Sequence, residues 1–78
     1  RLLGAYGAQG GDIKPAWVLA AGLGDPDVTV RWQTATGLGD MGRAAIVAVR
    51  SLRAVSNDKA EDPMVRRAAR TAVNSILD

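Results

Sequence analysis

The sequence contains no cysteine, no histidine and no phenylalanine, and its only aromatic side chains are Tyr6, Trp17 and Trp32. Without cysteine there is no disulfide and no thiolate chemistry. With histidine missing as well, the usual zinc ligands are gone, so no metal site is expected. A chain without disulfides leans toward a cytoplasmic setting. No run of about 18 apolar residues occurs, so no membrane-spanning helix is expected. Arg1-Leu2-Leu3 ahead of Gly4-Ala5 is too short and too glycine-rich for a signal peptide. The chain opens on apolar residues without an initiating Met or a capping signal, and reads as a piece of something longer.

Charge of one sign is also scarce. Ten basic residues face eight acidic ones, a net charge of +2, so the pI of 9.7 overstates the field. The excess lies entirely in residues 40–78, which hold seven basic and five acidic side chains. Steering of nucleic acid calls for more than this. Enzyme chemistry has little to work with. Ser51, Ser56 and Ser75 have no base to activate them, and Lys14 and Lys59 fall in loops where desolvation is not expected. The glycine-rich spots Gly22-Leu23-Gly24 and Gly37-Leu38-Gly39 follow no strand and lack the spacing of a phosphate loop. The expectation is a protein that is not an enzyme and carries no cofactor.

What is present is an internal repeat. Leu3-Gly4-x-x-Gly7 recurs as Leu38-Gly39-x-x-Gly42, and Val30-Arg31 recurs as Val65-Arg66, both 35 residues later. Asp25-Pro26 and Asp62-Pro63 stand just ahead of the two Val-Arg pairs. Ala16-x-x-Leu19-Ala20-x-x-Leu23 matches Ala45-x-x-Ala48-Val49-x-x-Leu52 at 29, the six-residue difference being taken up by the connectors. Each unit divides into two helices. Asp25-Pro26 and Asp62-Pro63 each supply a cap and a first-turn proline. From Val65, Ala68, Ala69, Ala72, Val73 and Ile76 follow one helical face, with Arg67, Arg70, Thr71 and Asn74 opposite. The same phase from Val30 turns Thr34, Gly37, Leu38 and Met41 inward, and places Trp32, Ala35 and Thr36 outward. A partner helix begins near Arg43 and buries Ala45, Ala48, Val49 and Leu52. The earlier one begins at Pro15 and buries Ala16, Leu19, Ala20 and Leu23.

The fold class expected is all-α: an α-solenoid of stacked antiparallel helix pairs, about five helices in one domain. Residues 1–24 form a partial first repeat, 25–61 a second, and 62–78 the first helix of a third. Inward faces built of Ala and Gly let helix axes approach closely, and a single pair cannot bury its own face, so the units must stack.

The string Asp25-Pro26-Asp27-x-x-Val30-Arg31-x-x-Thr34-x-x-Gly37-Leu38-Gly39-x-x-Gly42 resembles the HEAT-like repeat of the phycobilisome-lyase group. Asp62-Pro63-x-Val65-Arg66-x-x-Ala69-x-x-Ala72-Val73 resembles the opening of the next unit. Thr34 and Gly37 depart from the Ala usual in that pattern, and the Arg53–Glu61 connector is long, features that bear on the curvature of an array. The resemblance implies that Arg31 and Arg66 are structural, reaching acidic residues at neighbouring helix starts, with Asp25, Asp27 and Asp62 as the available partners. It implies a scaffold or protein-interaction module whose partner is another protein or the rest of its own parent chain. Other classes stay open: an accessory segment of a hydrolase, sulfatase or bilin lyase, a piece that caps an array, or a nucleic-acid binder like the HEAT-like alkylpurine DNA glycosylases.

Within that frame the candidate binding residues are Trp32, Arg67 and Arg70. Trp and Arg are the types most enriched at interface hot spots, and the helical phase sets all three outward on neighbouring first helices. Arg67 and Arg70 also belong to a basic set with Arg43, Arg50 and Arg53, of which the Arg50–Arg53 face has charge but no apolar anchor. Trp17 aligns with Ile46 at a flanking core position and is expected to pack.

Overall fold

In the computed structural model, residues 15–78 are described. The leading anchor Leu3-Gly4-x-x-Gly7 and the Ala8–Lys14 segment lie outside the described residues. The chain runs through a short helix α1 (Ala16–Leu19), a 3₁₀ segment (Ala20–Gly24), α2 (Val28–Asp40), a second 3₁₀ segment (Gly42–Ala48), α3 (Val49–Asn57) and α4 (Pro63–Leu77). Among the described residues this is an all-α, four-helix domain with no strand.

The long helices start for the same local reason. Asp27 accepts a hydrogen bond from the Thr29 backbone N–H at 2.8 Å, and Asp62 accepts one from Met64 N–H at 2.8 Å. Each cap satisfies a donor that has no partner inside the helix. The cap of α2 is therefore Asp27, not Asp25, whose carboxylate accepts from the Asp27 N–H and forms the preceding turn. Caps, Val-Arg pairs and helix starts then all recur at 35 residues. Helix α2 ends where Gly42 adopts φ +60°, a left-handed conformation that a side chain would disfavour.

The segment expected to begin as a helix near Arg43 is wound as 3₁₀ up to Ala48, with a kink at Ala45 (φ −100°, ψ 18°). No side chain caps its start. Its inward residues are nevertheless those expected: Ala45, Ala48, Val49 and Leu52 are buried.

The core joins Leu38, Leu52, Val65 and Ile76, all fully buried, to a set of buried alanines. Helix α2 packs on α4 along one side and on the first 3₁₀ segment along another, while α4 also covers α3. The two N-termini lie together and Gly39 meets Ala72 further along, so α2 and α4 run in the same direction. Because α2 is covered on two sides, Ala35, expected outward, is completely buried. Thr34 faces Gly22, where an added methyl would collide with its hydroxyl.

Candidate functional site

Two features draw polar and aromatic side chains together. The first is a clamp around Arg31. Its Nε donates to Glu61 Oε2 at 2.8 Å and its Nη2 to Glu61 Oε1 at 2.9 Å, while Nη1 donates to the carbonyls of Asp25 and Pro26 at 2.8 and 3.0 Å. This two-point pairing suits the planar guanidinium. The bond from Arg31 holds the Glu61 carboxyl below its ordinary value despite burial, and the same bond raises the Arg31 guanidinium. The expected partners Asp25, Asp27 and Asp62 do not serve as carboxylates here. Asp25 offers its backbone carbonyl, while the side chains of all three accept backbone N–H groups. Glu61, at the end of the long Arg53–Glu61 connector, is the carboxylate.

Arg66 occupies the same fourth position of its helix, 35 residues on. Its Nε is buried and has no hydrogen-bond partner among the described residues. The two arginines that match in sequence therefore differ in what they hold.

The second feature is a groove of about 320 Å³ between α2 and α4. Trp32, Thr36 and Asp40 form one wall, and Met64, Arg67 and Thr71 the other, over a floor that includes Ala35, Gly39 and Ala72. The floor is narrow because Gly39 lets the Ala72 backbone come close. Trp32 is 38% exposed and also borders a smaller recess with Val28, Thr29, Asp62 and Val65. Its ring thus separates two hollows, and Met64, 62% exposed, stands across both. The structure brings Trp32 and Arg67 to one groove. It leaves Arg70 exposed but outside the groove walls. Met64 was missed by sequence reasoning. Its signal was position, since it directly follows the capping Asp62-Pro63 in the first turn of α4.

The other basic set stands apart, with Arg43, Arg50 and Arg53 exposed on the second 3₁₀ segment and α3. Trp17, expected to pack, is 70% exposed, and its sequence counterpart Ile46 is exposed too. In both, the preceding alanine (Ala16 or Ala45) takes the inward place, and the next residue is carried about 100° round the axis. Among the described residues no group of three or more Asp or Glu side chains is arranged to hold a metal ion, and no helix is long and apolar enough to cross a membrane. Comparison with models of known families, with curated proteins and with solved structures finds no match.

Proposed function

We propose that this chain is a segment of a HEAT-like helical-repeat protein that serves protein–protein interaction, and that the groove between α2 and α4 is its contact surface. The observation that carries the proposal is the placement of Trp32 beside Met64 and Arg67 over a floor of small residues. An aromatic anchor, a flexible thioether and a guanidinium around a concave apolar strip are what a protein contact uses. The solenoid reading rests on the recurrence of cap, Val-Arg pair and helix start at 35 residues, and on the parallel course of α2 and α4. A protein partner is favoured over nucleic acid because, among the described residues, Arg67 is the single basic side chain lining the groove and Asp40 lines it as well.

The test is a peptide-display selection against the chain, with the recovered binders measured on a W32A/R67A double variant. The proposal expects folded variant protein and a loss of about 2 kcal/mol in affinity. Binders that hold the double variant as tightly as the parent chain would overturn it.

A further inference from the structure

The groove between α2 and α4 carries charge of both signs, placed at different points along its length. Trp32 and Met64 face each other at one end, where both also border the smaller recess. Arg67 comes next, about 4–5 Å past Met64 along the axis of α4. Asp40 lies on the opposite wall, about 12 Å past Trp32 along α2. Both charged side chains are exposed, and among the described residues neither belongs to an ion pair. Asp40 also stands in the last turn of α2, where the free carbonyls of a helix favour a cation, yet that turn holds no basic residue. The Asp40 end of the groove therefore attracts positive charge, and the stretch beside Arg67 attracts negative charge.

The walls also offer hydroxyls. Thr36, Thr71 and Ser75 line the groove. A hydroxyl both donates and accepts, so it can serve the N–H and C=O groups of an extended backbone. A docked helix has already paired most of those groups internally and gives the hydroxyls little to bond. Spacing agrees with an extended occupant. Side chains on one face of an extended chain recur about every 7 Å, so three alternate residues reach about 13 Å, close to the span from Trp32 to Asp40.

Resting on this groove as the contact surface, we propose that its occupant is an extended segment of another protein with an apolar, an acidic and a basic side chain at alternate positions. The apolar side chain sits between Trp32 and Met64, the acidic one pairs with Arg67, and the basic one with Asp40. The hydroxyls of Thr36, Thr71 and Ser75 bond the backbone between them. A nucleic-acid strand fits less well, because its regular phosphates would bring negative charge up to Asp40.

The experiment starts from a display selection of random peptides against the full chain. Recovered binders should carry the apolar, acidic and basic residues at alternate positions in that order along the groove. The tightest is made as a fluorescent, end-blocked peptide and titrated by anisotropy, beside a copy with its acidic and basic residues exchanged. On the parent chain the exchange should weaken binding about tenfold, since two exposed charge pairs become two like-charge contacts. On a chain carrying Arg67→Glu and Asp40→Lys the preference should reverse, with circular dichroism confirming the fold. An unreversed preference, or binders that need Trp32 but show no charge order, would overturn this proposal and leave the groove as the contact surface. Binders indifferent to Trp32→Ala would overturn both. Self-association of the chain that is lost on Trp32→Ala would assign the groove to a second copy, and tighter binding of a free peptide of residues 1–14 would assign it to the chain's own start. Either result overturns the proposal. Should the double variant fail to fold, Asp40→Asn decides, and it should cut the discrimination between the two peptides about threefold.

Discussion

Replacing Gly39 with alanine should destabilise the fold, although the same change two residues earlier should stabilise it. Both glycines are interior to α2, so each gains about 0.5–1 kcal/mol from the better helix propensity of alanine. Their surroundings differ. A methyl at Gly37 meets nothing within 4 Å, whereas at Gly39 it lies 2.9 Å from the Ala72 Cα and 3.1 Å from its Cβ. The nearer contact is backbone, which cannot swing aside as a side chain would. Either α2 and α4 separate or α2 rotates, and such overpacking costs about 1–3 kcal/mol. Gly37→Ala should therefore gain about 0.5–1 kcal/mol, and Gly39→Ala should show a net loss of about 1–2 kcal/mol. The difference between the variants isolates the close approach, because the propensity change is common to both. In a domain this small it should separate the two unfolding midpoints by roughly 5–15 °C. Thermal and urea denaturation of both variants measure it. Equal stability of the two would refute the helix–helix contact on which the groove depends.

The clamp has a pH signature. Glu61 is lowered from its ordinary value near 4.5, chiefly by the Arg31 hydrogen bond, so its contribution is complete above that value and is lost as pH falls through the folded-state value. Glu61→Gln should flatten the acid limb of a stability–pH profile, and an unchanged limb would contradict the clamp. Arg66→Met should leave stability intact or raise it, since it removes an unpaired donor while keeping the stem, whereas Arg31→Met should weaken the fold because Glu61 loses its partner; denaturant midpoints distinguish them. Gly42→Ala should cost about 1 kcal/mol because its φ of +60° disfavours a Cβ, and the same denaturation assay reads it.

Much of this fold was legible because α4 obeys a single period. Val65, Ala69, Ala72, Val73 and Ile76 are buried and the Asp62-Pro63 start is where the spacing puts it, while Ala68 is half-buried at the edge of the groove. Helix α2 was harder, since a helix covered on two sides has no single polar face, and Ala35 disappears into the contact with α4. The cap was ambiguous because Asp25 and Asp27 flank one proline, and both are cap residues by type. The Gly42–Ala48 segment keeps helix-like apolar spacing while winding as 3₁₀, so its buried residues were readable and its geometry was not. Glu61 could not be picked out as the partner of Arg31, for 30 residues of chain separate them and no local rule links them. The pairing of Trp32 with Arg67 followed from phase and stacking alone, whereas Met64 and the exclusion of Arg70 from the groove needed the actual side-chain positions.

The central claim is that a protein partner contacts the α2–α4 groove, and the two tryptophans report on it independently. In a ¹H–¹⁵N spectrum the indole N–H of Trp32 lies at the groove and that of Trp17 outside it. Titration with a peptide selected against the chain should move the Trp32 indole signal together with the backbone amides of Thr36, Gly39 and Thr71, and leave the Trp17 indole in place. Shifts confined to Trp17, or to the amides around Arg50 and Arg53, with Trp32 unmoved, would contradict it.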